Sequence, residues 1–200
     1  VVVVMAAFRL VCIEGNIGAG KSTVLNCLKS RGYTVVPEPV QTWSHVFPLF
    51  VAHPKRYAFT FQTQIVASLL EQYNTAINAC ARCPKDNVVF IERSFLSAGC
   101  FVNVAVANGH MNSAEEQTYH NLARLVEWTP SQYIFVATPL TTCLERINTR
   151  DRPEEKNISL GNLMAIASAF CKAGITGQSV SGDQQPELIA ADILKRVVPN

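Results

Sequence analysis

Two hundred residues, 48% of them hydrophobic and 16% charged, suffice for one domain with a sizeable core and exclude a low-hydrophobicity disordered chain. A net charge of +2 lacks the clustered basic excess that a nucleic-acid backbone favours. No stretch approaches the ~20 apolar residues that cross a bilayer, so neither a nucleic-acid polymer nor a membrane is an expected partner.

Taken in order, the chain opens on Val1–Val4 ahead of Met5, without the basic start of a secretory signal. Residues 1–7 are expected to be a leader outside the fold. Phe8–Ile13 predicts a buried strand, and Thr23–Leu28 the start of a helix. Tyr33–Val36 predicts a second strand, stopped by Pro37 and Pro39. After a turn-rich stretch, Pro54 opens a long helix towards Ala81, on which Phe61, Ile65, Leu69 and Tyr73 recur every fourth residue. Val88–Ile91 predicts a third strand, followed by helices over Ser94–Ala107 and Ala114–Trp128. Tyr133–Ala137 predicts a fourth strand and Thr141–Asn148 a helix. A charged segment precedes a helix over Leu160–Lys172; Ile175–Val180 reads as a last strand and Pro186–Val197 as a final helix. Strands separated by helices imply a parallel sheet covered on both faces, in a single domain over 1–200.

The seven cysteines are an odd number without a regular framework, which suits a reducing, cytoplasmic compartment. Cys80 and Cys83 have the spacing of half a zinc site, but no second pair follows to complete four ligands.

Gly15-Asn16-Ile17-Gly18-Ala19-Gly20-Lys21-Ser22 matches the phosphate-loop pattern G-x-x-x-x-G-K-[ST] at every fixed position, between a predicted strand and a predicted helix. Its backbone N–H groups and the helix N-terminus would surround phosphate oxygens. Lys21 would reach the β- and γ-phosphates of ATP, and the Ser22 hydroxyl would help hold Mg²⁺. Glu38, between two prolines at the end of the second strand, is placed to take a proton from an attacking hydroxyl; an acidic surface turn would read the same. Glu92, closing the third strand, has the layout of a carboxylate that assists Mg²⁺. Arg93 beside it could pair with Glu38, and Ser94 could cap the next helix. Arg146, Arg150 and Arg152, with Glu154 and Glu155, form a charged segment over about 146–157 that is either a solvated loop or a lid closing on a triphosphate.

These segments together resemble the deoxyribonucleoside kinase family. The resemblance rests on GNIGAGKST at Gly15–Thr23, PEPVQTW at Pro37–Trp43 and FTFQTQ at Phe59–Gln64. It continues through IERSFLSA at Ile91–Ala98 and CLERINTRDRPEE at Cys143–Glu155. It implies a P-loop NTPase-type α/β fold with an arginine-rich lid, and a homodimer. It also implies transfer of the ATP γ-phosphate to a deoxynucleoside 5′-hydroxyl. Glu38 would be the general base with Arg93 beside it, Gln62 would read the base edge, Phe61 would stack on the base, and Trp43 and Ile65 would line the pocket. Glu155 would hold the 3′-hydroxyl, and Arg146, Arg150 and Arg152 would act on the phosphates.

The positions that carry an arginine and an aspartate in the deoxycytidine kinase branch are Leu69 and Ala98 here. That is similar to the thymidine-accepting branch and points to thymidine, with deoxycytidine also accepted. A thymidylate kinase or a non-catalytic nucleotide-binding subunit are the alternatives. Two departures from the family stand out. Val51 occupies the position of a tyrosine that serves the sugar, a loss of about 0.5–1.5 kcal/mol if nothing replaces it, and Gly99-Cys100-Phe101 replaces the usual Arg-Tyr continuation.

Overall fold

The computed structural model describes residues 8–82, 84–126 and 129–198. Five parallel strands form one sheet in the order β2-β3-β1-β4-β5. They are β1 (Arg9–Glu14), β2 (Thr34–Val36), β3 (Val88–Glu92), β4 (Gln132–Ala137) and β5 (Ser179–Ser181). The helices are α1 (Lys21–Ser30), α2 (Phe47–Ala52), α3 (Pro54–Cys80), α4 (Phe95–Ala107), α5 (Ser113–Ala123), α6 (Leu140–Arg150), α7 (Leu160–Lys172) and α8 (Pro186–Val197).

Alternation along each strand divides the core between the two faces of the sheet. Val11, Ile13, Val88 and Phe90 face the side where Val24, Leu25 and Leu28 of α1 pack with Ile189 and Ile193 of α8. Cys12, Val89 and Ile91 face the opposite side, against Tyr73 and Ala76 of α3. Because both faces are covered, every residue of β3 is buried and its sequence is apolar until Glu92. The α3 stripe is borne out at three of its four positions: Phe61, Leu69 and Tyr73 are buried and Ile65 is half-buried, on a 27-residue helix that begins at Pro54.

The differences from the sequence reading have local causes. Phe47–Ala52, expected to be turn, is a six-residue helix with Pro48 in its first turn and no fully buried residue, too short to carry a period. The last strand is Ser179–Ser181 alone, because Gly174 turns the chain at φ 71° into a 3₁₀ turn over Ile175–Gly177. Helix α5 stops at Ala123; Trp128, where it was expected to end, lies outside the described residues, as do the expected leader and Cys83. Among the described residues no three His, Cys, Asp or Glu side chains are grouped to hold a metal ion. None of the described helices is long and apolar enough to cross a membrane.

Phe170 of α7 is fully buried and meets Phe101 and Phe135 edge-on at 6.0 and 5.7 Å between ring centroids. Phe170→Ala should therefore lower stability by about 3–5 kcal/mol, measured by urea unfolding with an unchanged slope.

Candidate functional site

The carboxyl ends of β1, β2 and β3 bring the acidic and basic side chains together. After Glu14 the chain leaves β1 through Gly15 at φ 150°, where a Cβ would lie 2.9 Å from the Val136 carbonyl oxygen of β4. Only glycine permits that approach. At the other end of the loop Gly20, at φ 96°, stands at the N-cap of α1 and offers no side-chain cap. The first N–H groups of α1, which have no partner within a helix, are thereby left for a ligand. Inside the loop Ile17 N–H donates to the Asn16 side chain at 2.8 Å, and the Asn16 amide donates to Leu163 O at 2.9 Å, tying the loop to α7. Thr138, just after β4, donates to Ala19 O at 2.9 Å.

Lys21 is buried and its Nζ donates to Asn16 O at 3.0 Å. Burial, and next the Arg93 guanidinium, lower its pKa to about 8. Ser22, the next residue, donates from Oγ to both oxygens of Glu92 at 2.9 and 3.2 Å. A hydroxyl beside a carboxylate, with few further protein ligands, fits a small hard cation that keeps waters and binds phosphate oxygens at the same time. The residues therefore suit Mg²⁺, as the phosphate loop suits ATP.

Arg93 follows Glu92 with a left-handed backbone, φ 66°. Its N–H donates to Ile13 O at 3.2 Å, one step beyond the β1–β3 ladder. Its Nε meets Glu38 Oε1 at 2.9 Å, its Nη1 donates to Gly15 O at 3.3 Å, and its guanidinium lies 4.9 Å from the centre of the Phe101 ring. Burial raises the Glu38 carboxyl above its ordinary value, and Arg93 acts in the opposite direction. The pairing of Glu38 with Arg93 is thus as the sequence suggested. Ser94 caps α4 with a reciprocal bond to Ser97, and also donates to Glu14 Oε1 at 2.6 Å.

The remaining residues fall into two groups. Trp43 and Phe61 meet edge-on, Ile65 packs beside them, and Trp43 Nε1 donates to Ser68 Oγ at 2.8 Å. Gln62, Leu69 and Ala98 are buried, and Gln62 Oε1 has no partner among the described residues. Phe61 is stacked on Phe47 and Phe50 of α2, at 5.0 and 4.8 Å, two aromatic neighbours that the sequence reading passed over. In the charged segment Glu155 receives Arg150 through two bonds of 2.6 Å and has Arg152 at 3.6 Å. Arg146 instead donates to Ala19 O of the phosphate loop at 3.2 Å and to Gly182 O at 3.4 Å. The Pro153–Glu155 turn packs near α2.

Glu14 and Thr138 were not singled out from the sequence. Glu14 ends an apolar strand directly before the first loop glycine, which is a legible signal; Thr138 has none.

A sequence profile described as deoxynucleoside kinase matches residues 11–192. The chain belongs to the deoxynucleoside kinase family. A Frog virus 3 (isolate Goorha) protein, provisionally named a deoxynucleoside kinase, is 31% identical over 193 residues, covering 96% of this chain and 95% of its own. Human deoxycytidine kinase is 30% identical over 184 residues, covering 76% of this chain and 70% of its own. Among solved structures, deoxyadenosine kinase from M. mycoides with bound dCTP superposes with a TM-score of 0.78 at 20% identity, over 94% of this chain and 98% of that one. The P-loop NTPase-type fold and the deoxynucleoside kinase activity expected from the sequence are borne out at that level.

The close approach at the first loop glycine gives a direct test. Gly15→Ala should weaken ATP binding strongly and lower the melting temperature, since the new Cβ meets a β4 backbone oxygen; calorimetric titration with ATP and a thermal melt read the two effects.

Proposed function

We propose that this deoxynucleoside kinase transfers the ATP γ-phosphate to the 5′-hydroxyl of thymidine and also accepts deoxycytidine. The observation that carries the catalytic part is the Glu38–Arg93 pair, held beside the phosphate loop. Glu38 receives the hydroxyl proton as general base, and Arg93 orients its carboxylate. Lys21, Arg146, Arg150 and Arg152 oppose the charge that spreads over the transferred group, so the rate depends on positioning and electrostatics. Mg²⁺, held through Ser22 and Glu92, would supply charge neutralisation between the phosphates. Glu155 binds the sugar 3′-hydroxyl.

The thymidine part rests on Leu69 and Ala98. Both are buried and uncharged, on α3 and α4, so neither position presents a charge that the base would have to satisfy. The Gln62 amide carries both a donor and an acceptor and can serve either pyrimidine by rotating. A preference for deoxycytidine is the second reading, favoured by the name of the human relative. A monophosphate acceptor fits less well, because Arg93 is already engaged by Glu38 and Gly15.

Each of the four deoxynucleosides, offered with ATP and Mg²⁺, should give monophosphate most efficiently from thymidine and next from deoxycytidine. A wild-type preference for deoxycytidine would overturn the thymidine assignment alone. The Leu69→Arg/Ala98→Asp double variant should lower the thymidine-to-deoxycytidine ratio of kcat/KM by about 10-fold or more. Glu38→Gln should lower kcat by about 10²–10⁴-fold; near-normal turnover would remove the base assignment.

The same roles fix the sign of the pH dependence. The base must be ionised, so activity is lost as pH falls through the raised Glu38 pKa. Lys21 must be protonated, so kcat/KM for ATP declines as pH rises past about 8. A pH–rate profile measured with saturating thymidine and limiting ATP should show both limbs.

A further inference from the structure

Gln72 lies in the middle of α3, buried against the sheet, and has no part in the roles assigned above. Its Nε2 faces three backbone carbonyl oxygens: Glu92 O at 2.8 Å, Pro37 O at 3.1 Å and Val36 O at 3.3 Å. Glu92 ends β3, Val36 ends β2 and Pro37 follows it directly. The β2–β3 ladder runs from Thr34↔Val89 to Val36↔Ile91 and stops there. It cannot continue, because Pro37 has no N–H to donate and Arg93 turns into left-handed geometry. The ladder thus ends just before Glu38 and Arg93 meet, and there an amide from the helix above donates to carbonyl oxygens of both strand ends.

The orientation of that amide is fixed by its surroundings. Turning it over would point its oxygen at three carbonyl oxygens. As placed, Gln72 Oε1 is buried without a partner among the described residues. A methionine would fill the same volume without an unpaired acceptor. Core packing thus gives no reason for an amide at this position; the strand ends do.

We infer that Gln72 is a positioning residue for phosphoryl transfer, its amide stapling the ends of β2 and β3 so that the Glu38 carboxylate is presented to the acceptor hydroxyl. The inference rests on the reading of Glu38 as the base. Loosening the staple separates Glu38 from Arg93, while the phosphate loop keeps its own ties through Asn16 to Leu163 O and through Ala19 O to Thr138 and Arg146. The charged groups acting on Glu38 are Arg93, Glu92, Lys21 and Glu14. Of these, Arg93 is the nearest cation, so its withdrawal moves the Glu38 titration upward.

The test is a double-mutant cycle on the full chain with the preferred deoxynucleoside, ATP and Mg²⁺. Gln72→Met should lower kcat about 10- to 100-fold, leave the KM for ATP unchanged, and shift the acid limb of the pH–rate profile to higher pH. In the Glu38→Gln background there is no carboxylate left to place, so adding Gln72→Met should change kcat little further. A Gln72→Met chain with wild-type kcat and acid limb overturns the inference. So does a loss of equal factor in both backgrounds, which would mark a general effect on folding. Should Gln72→Met melt below the assay temperature, Gln72→Asn keeps the donor on a shorter stem and must show the same shift of the acid limb, smaller in size; a wild-type profile overturns the inference. Failure of the base reading looks different: Glu38→Gln alone would then turn over normally, whatever Gln72 does.

Discussion

Arg93 sits where three strands of the sheet exchange their contents. Its main chain extends the β1–β3 ladder by one bond to Ile13 O, and its side chain reaches the first residue of the phosphate loop and the Glu38 carboxylate that follows β2. A planar guanidinium can serve these acceptors at once because its donors diverge from a rigid plane, with the Phe101 ring supporting one face. The left-handed backbone at φ 66° is the cost of aiming it there, and such strain persists only where the surroundings hold it. Ser94 supplies that hold from the other side, capping α4 while bonded to Glu14.

Around this residue the charges are nearly compensated. Glu14, Glu38 and Glu92 face Lys21 and Arg93 in a region largely closed to water. Burial pushes the Glu14 and Glu38 carboxyls up and the Lys21 amine down. Phosphate groups brought beside Lys21 would favour its charged form. The charged segment after α6 repeats the arrangement on a smaller scale. There one carboxylate, Glu155, gathers Arg150 and Arg152, while Arg146 is tied to the phosphate loop through Ala19. Glu155 and the two arginines are in this way parts of one ion cluster.

Much of this was legible in the chain. The phosphate loop declares itself because three constraints, turn glycines, a lysine and a hydroxyl, fall at fixed spacing between a strand and a helix. Leu160–Lys172 and Pro186–Val197 were read with correct bounds, since apolar periodicity and a cap or proline mark both. Glu38, Glu92 and Arg93 stood out as charges ending apolar runs, where a parallel sheet delivers its side chains to the ligand edge. The α2 helix did not stand out, for Phe-Pro-Leu-Phe-Val-Ala has no period, and its Phe47 and Phe50 acquire meaning only by stacking on Phe61.

The sequence by itself determined the alternation of strands and helices, the phosphate loop, and which side chains carry the charge, because these depend on neighbours within a few residues. The sequence suggested that Arg93 could pair with Glu38, 55 positions away; only the tertiary structure decided that Arg93 also reaches Gly15 O and that Arg150 and Arg152 share Glu155. It alone also set the Gln72 amide over the ends of two strands. Those contacts follow from strand order, the left-handed turn at Arg93 and the seat of α3 on the sheet, none of which leaves a local mark in the order of residues.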